Sequence, residues 1–160
     1  MSGGFGGLQE LYGEVILDHN RHPRNFGPLP GANHHAVGDN PLCGDRVAIH
    51  LRVDDERIEE IRFEGVGCAI STASASMMTE ALSGKSLAEA QELFDRFHAL
   101  LTKPAAADAP DLGKLAAFAG VREFPMRVKC ATLAWHALQS ALAAPAAPPA
   151  PPPLKVAERA

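Results

Sequence analysis

Cysteine occurs three times in this chain, at positions 43, 68 and 130, and the gaps of 25 and 62 residues between them constrain the fold more than any local pattern. Cys43 opens the tripeptide Cys43-Gly44-Asp45. Three thiols and a nearby carboxylate make one four-ligand metal site only if three distant segments converge on one point. A carboxylate is harder than a thiolate and easier to displace from a soft metal, so such a site can hold a metal firmly and still open one position. Spacing of this kind fits three small buried hydrophobes equally well, because unpaired cysteine is often buried. Local context separates the two readings. Cys43 lies between Pro41 and Gly44 just before a strand, and Cys68 follows Gly65 and Gly67 at the start of a helix. Free backbone N–H groups and the helix dipole favour thiolate over thiol at such a start. Cys130 falls in the first turns of the last helix, with Arg127 three residues before it.

The chain has 160 residues, 46% of them hydrophobic, which suits one domain with one packed core. A net charge of -4 leaves no basic excess to neutralise phosphates, so nucleic acid is not an expected partner. No run approaches the roughly 18 apolar residues of a membrane span, and no membrane role is expected. The leader Met1-Ser2-Gly3-Gly4-Phe5-Gly6-Gly7 has neither the charged nor the apolar region of a signal peptide. An odd cysteine count in that setting suits a reducing, cytoplasmic location, where thiols bind metals or react instead of pairing.

The expected organisation is a flexible leader over 1–7, one domain over 8–143 and an alanine- and proline-rich tail over 144–160. Apolar residues at helical spacing predict a helix from Leu8 to His19, followed by a turn-rich loop from Pro23 to Gly31. Alternation over Val47, Ile49, Leu51 and Val53 predicts a strand, with a turn at Asp54-Asp55 and a return from Ile58 to Phe63. Ala36 to Asp39 adds an edge strand. Helices are predicted over Ile70–Leu82, closed by Ser83-Gly84, and from Leu87 to about Leu101, with Ser86 and Glu89 as a capping box. A short helix over Leu112–Phe118 and a last helix after Phe124-Pro125 complete the domain. Trp135 and the Met77-Met78 pair read as core.

Charge arithmetic suits zinc. Three thiolates and one carboxylate carry -4, Zn²⁺ leaves -2, and Arg127 with Lys129 can offset the remainder. An ordinary solvated helix face is the alternative for both, and for Lys129 taken alone it is the better reading. Asp45 is a candidate ligand, with a turn or cap role before the strand as its alternative. If Asp45 does not ligate, His34 or His35 is the substitute; otherwise these two, like His19 and His22, read as surface loop residues. His50, His98 and His136 carry no assignment.

Four blocks occur in order: Leu17-Asp18-His19 with Pro23-Arg24-Asn25-Phe26-Gly27; Asn40-Pro41-Leu42-Cys43-Gly44-Asp45; Phe63-Glu64-Gly65-Val66-Gly67-Cys68-Ala69-Ile70-Ser71; and Arg127-Val128-Lys129-Cys130-Ala131-Thr132-Leu133-Ala134-Trp135. Together they resemble the IscU/NifU-like iron–sulfur assembly superfamily over nearly the whole stretch from Leu8 to Leu142. Within it the chain is similar to the SufU branch. The scaffold branch carries histidine directly before its third cysteine, where this chain has Lys129. The SufU branch also has an extra segment between the second and third cysteines, which residues Leu93 to Gly120 match.

The resemblance implies an α+β fold of the IscU/SufE-like kind, a small antiparallel three-stranded sheet packed by helices. It implies Zn²⁺ held by Cys43, Asp45, Cys68 and Cys130, with Cys43 as sulfur acceptor and Arg127 linked to the partner encounter. The implied activity is that of a sulfurtransferase, taking persulfide sulfur from a SufS-type, pyridoxal-phosphate-dependent cysteine desulfurase and relaying it to a downstream iron–sulfur assembly scaffold. A ligand swap, in which a partner histidine replaces Cys43, is described for the family. Two other readings compete: a scaffold on which a [2Fe–2S] cluster forms on the same cysteines, and a structural zinc domain acting as an adaptor.

Overall fold

The computed structural model describes residues 13–40, 44–102 and 110–143. The leader, the first turn of the expected Leu8–His19 helix, Cys43, most of the Lys103–Pro110 connection and the 144–160 tail lie outside those residues. Helix α1 covers 13–21. Strands β1 (His34–Asn40), β2 (Asp45–Asp54) and β3 (Arg57–Val66) follow, then α2 (Ala69–Leu82), α3 (Leu87–Thr102), a 3₁₀ segment (Pro110–Glu123) and α4 (Pro125–Ala143).

The sheet is antiparallel in the order β1-β2-β3. Its register pairs Ile49 with Phe63 and Leu51 with Ile61, so the alternating apolar residues of two strands fill one buried face. Helices cover that face, α4 over β1 and β2 and α2 beside β3. At Gly38 on β1 a Cβ would lie 3.1 Å from Leu133 Cδ1 and 3.3 Å from Ala137 Cβ, so the bare backbone lets α4 settle closely on the edge strand. The β2–β3 turn falls at Asp55-Glu56, one position later than expected. Both residues have left-handed φ, 54° and 61°, the geometry that matches a two-residue loop to the strand twist.

The capping box at the start of α3 forms in both directions: the Ser86 N–H donates to Glu89 Oε1 at 2.9 Å and the Glu89 N–H to Ser86 Oγ at 3.1 Å. The expected short helix Leu112–Phe118 is instead part of the longer 3₁₀ segment. Past a kink at Gly113 (φ 56°), Leu115, Phe118 and Val121 are all buried, a three-residue period that eclipses on a 3₁₀ helix and would spiral round an α-helix. Trp135 anchors the core as expected, stacked on Phe97 with centroids 4.7 Å apart, and Phe97 meets Phe118 edge-on.

The block around Asp18-His19 and Pro23–Gly27 is a strap from α1 to α2 and β3. Arg24 Nη2 donates to Asp18 Oδ2 at 2.6 Å, the Arg24 N–H to Ser76 Oγ, and Asn25 Nδ2 to Thr79 Oγ1. Phe26 bridges to Phe63 on β3 and packs edge-on against its ring. His19 is therefore no surface loop residue: it is buried on α1 with Nδ1 2.7 Å from Ser76 Oγ and Nε2 facing Glu80. Ser76 Oγ, which also accepts from the Arg24 N–H, thus ties the strap and His19 to one point on α2. His34 and His35 are likewise half-buried members of β1, and His35 Nδ1 lies 3.2 Å from Nδ1 of His50, whose Nε2 pairs with Glu64 at 2.9 Å.

Burial first, and the nearby Arg24 charge second, hold His19 below the usual imidazole range, and burial does the same to His35. A lowered folded value means the unfolded chain binds protons first as pH falls. The stability these groups contribute is complete above the unfolded value near 6.5 and is lost progressively below it. Melting temperature is predicted to fall between pH 7 and pH 5.5, and His19→Gln to flatten that slope while lowering stability at pH 7. Thermal scans of both proteins across the range measure it; an unchanged slope in the variant would contradict the assignment.

Candidate metal centre

Three of the four expected ligands converge at one end of the sheet. One oxygen of Asp45 and the sulfurs of Cys68 and Cys130 all lie within 4.8 Å of one another. Cys43, the fourth, lies outside the described residues, and Gly44 beside it has φ +78°, a left-handed turn that directs the chain into β2. Asp45 begins β2 and pairs with Asn40 of β1, while Val66, opposite Arg46, ends β3 and delivers the chain to Cys68.

Two glycines make this convergence possible. A Cβ at Gly65 would run into the Arg46 carbonyl and come within 2.9 Å of Val47 Cα. One at Gly67 would sit 2.7 Å from Asp45 Oδ1 and 3.1 Å from Ser71 Oγ. Because that space is clear, the Cys68 N–H donates to Asp45 Oδ1 at 2.9 Å, and Cys68 Sγ lies 3.8 Å from Oδ2. Cys68 occupies the N-cap of α2 without a side-chain cap bond, and the strand-borne aspartate accepts from the Cys68 backbone N–H itself. A carboxylate has two oxygens, so this bond leaves one free to face the two sulfurs.

Cys130 arrives on α4, and its position is fixed by α2. Ser74 Oγ donates to the Ala131 carbonyl at 2.5 Å and accepts from Trp135 Nε1 at 3.1 Å. All three residues are buried. This one hydroxyl bridges two turns of α4 and sets the helix beside α2, with Cys130 next to Cys68. Nothing in the sequence marks Ser74 among its small neighbours; its signal is only that Trp135, if buried, needs an acceptor.

The donor set fits zinc. With Zn–S near 2.3 Å and Zn–O near 2.0 Å, tetrahedral donors sit roughly 3.5–3.8 Å apart, a modest contraction of the observed grouping. Asp45 is 1% exposed, and among the described residues no cation pairs with it, a costly state for a buried carboxylate that a divalent cation would relieve. Arg127 and Lys129 are exposed on the first turns of α4, one turn and one residue before Cys130. His34 and His35 do not substitute as ligands. They pair with Leu51 and His50, six and five residues along β1 from Asn40, about 17–20 Å from the cysteines' end of the sheet.

Ser74→Ala removes the acceptor for a fully buried indole N–H. It is predicted to destabilise the fold by about 1–3 kcal/mol, read by denaturant unfolding. A loss under about 0.5 kcal/mol would show that the bridge does not hold α4.

With this geometry in place, comparisons with known proteins gain meaning. The NifU-like N-terminal domain family matches residues 11–131. The chain is 44% identical over 138 residues to the zinc-dependent sulfurtransferase SufU of Bacillus subtilis, covering 85% of this chain and 92% of that protein. It is 43% identical over 135 residues to the iron–sulfur cluster assembly scaffold protein IscU of Streptococcus pyogenes, covering 84% of each. A solved structure from Fervidobacterium islandicum AW-1, provisionally described as a cluster assembly scaffold protein for the SUF system, superposes with a TM-score of 0.75 at 34% identity, over 84% of this chain and 98% of that one. The fold is thus shared with these relatives, and the chain belongs to the NifU-like N-terminal domain family, in the SufU branch of the IscU/NifU-like superfamily.

Proposed function

We propose that this protein is a zinc-dependent sulfurtransferase of iron–sulfur cluster assembly. It accepts persulfide sulfur from a SufS-type cysteine desulfurase and passes it to a downstream assembly scaffold. The observation that carries this reading is the Asp45–Cys68–Cys130 cluster, with Lys129 rather than histidine before the third cysteine. Asp45, Cys68 and Cys130 would hold the metal together with Cys43. Zinc bound there supplies a fixed positive charge that keeps the thiolates deprotonated and close together.

The chemistry rests on Cys43. Its thiolate attacks the outer sulfur of the desulfurase's cysteine persulfide, forming a new S–S bond. The original S–S bond breaks, and its electron pair remains on the desulfurase cysteine, which leaves as thiolate. Cys43 then carries the persulfide and surrenders its outer sulfur to the next thiol by the same exchange. Asp45, directly after Gly44, is the buried ligand nearest to Cys43 in sequence. Arg127, exposed one turn before Cys130, would meet an anionic group on the partner.

A [2Fe–2S] scaffold is the second reading, favoured by the equal resemblance to the S. pyogenes IscU protein. A desulfurase assay separates them at one residue. Cys43→Ser is expected to abolish stimulation of alanine release by a SufS-type enzyme, while Cys68→Ser and Cys130→Ser lose zinc first. Normal stimulation by the Cys43 variant would rule out the relay.

A further inference from the structure

The start of α4 breaks three local rules at once. Phe124 stands at the N-cap position, its carbonyl accepting from the N–H groups of Arg127 at 2.8 Å and Val128 at 3.0 Å. An aromatic residue there offers no side-chain oxygen to the first-turn N–H groups. The first turn contains no acidic residue, and the cations Arg127 and Lys129 oppose the helix dipole. Phe124 and Met126 are 60% and 47% exposed, beside an exposed Pro125; the other exposed large apolar side chains among the described residues, Leu17, Phe26 and Val37, lie on α1, the strap and β1. Local stability is given up at Phe124, Met126, Arg127 and Lys129, and such conflicts cluster at functional surfaces.

Position explains what the conflict serves. Met126 is four residues before Cys130, about 6 Å along the helix axis, and Phe124 is two residues farther. Sulfur exchange requires the reacting sulfurs to touch. A protein partner that reaches the cysteines also covers a patch of roughly 800 Å², a disc about 16 Å in radius. A disc of that radius centred on the cysteines takes in Phe124 and Met126. Aromatic residues, methionine and arginine are the types enriched at the centres of interfaces.

We infer that Phe124 and Met126, flanked by Arg127 and Lys129, are the apolar anchors of the docking surface for the persulfide-bearing desulfurase. The inference rests on the sulfur-relay reading. It assigns the partner an apolar pocket ringed by carboxylates, placed within about 16 Å of its persulfide. Binding strength comes from the apolar pair, while the two cations orient the approach and make it salt-sensitive.

The test uses the full zinc-loaded chain and a SufS-type desulfurase. Phe124→Ala with Met126→Ala is expected to raise the KM for this chain tenfold or more in alanine release. kcat at saturation should stay within twofold, with zinc content and thiol reactivity toward a small disulfide reagent unchanged. The single variant Phe124→Ser, which restores a capping oxygen, should raise KM while raising the melting temperature; a merely structural residue would not separate the two. A KM within twofold of the parent overturns the inference and leaves the relay standing. Loss confined to sulfur delivery downstream, or a concentration-dependent dimer by light scattering that the double variant abolishes, assigns the surface to the acceptor or to a second copy and also overturns it. Failure of the parent chain to stimulate the enzyme at all removes both the inference and the relay.

Discussion

Cys68 and Cys130 ride on different helices, and what brings those helices into register is the buried hydroxyl of Ser74, donating to the Ala131 carbonyl and accepting from the Trp135 indole. Buried polar groups are expensive unless each finds a partner, so this arrangement tolerates little sliding of α4 along α2. The aromatic stack of Trp135 on Phe97 extends the same constraint to α3. A core interaction thereby fixes the separation of two sulfurs at its edge, and the site inherits its precision from packing that touches no ligand.

The third side of the site comes from the sheet, by absence of side chains. Gly65 lets β3 lie against the Arg46 backbone, and Gly67 leaves Asp45 room to meet the Cys68 N–H. Backbone meets backbone at Gly65 and the Asp45 carboxylate fills the space at Gly67, so the strand end is joined directly to the helix start. Asp45, Cys68 and Cys130 thus meet on a strand end and two helices, each held by the packing of its own element. Outside this centre, the start of α4 presents cations and uncovered apolar groups where a helix would ordinarily present acids and a cap.

Much of this was legible in the chain. Alternation at Val47–Val53 and Ile58–Phe63 located two strands, and Ser86 with Glu89 marked a helix start that forms as expected. The convergence of Asp45, Cys68 and Cys130 was anticipated from glycines, helix starts and block order. Other features depended on tertiary context that no local window contains. His19 follows helical spacing and ends in a polar loop block, yet Ser76, 57 positions away, gives it a buried partner. His34 and His35 looked able to reach a metal until strand pairing carried them to the other end of β1. The 3₁₀ segment was hidden because four apolar residues at three-residue steps also fit part of an α-helical face. Ser74 was invisible because its role exists only once Trp135 is buried above it.

Relay and scaffold use the same cysteines and differ in what those cysteines hold when no partner is present. The relay account requires a redox-inert resident ion, so that sulfur is carried on Cys43 and is never stored as sulfide between metals. The most direct measurement is metal and acid-labile sulfide per chain after anaerobic purification. The account predicts about one tightly bound zinc and no sulfide. Iron and sulfide in stoichiometric amounts would contradict it, and Cys43 would then be a cluster ligand rather than a carrier.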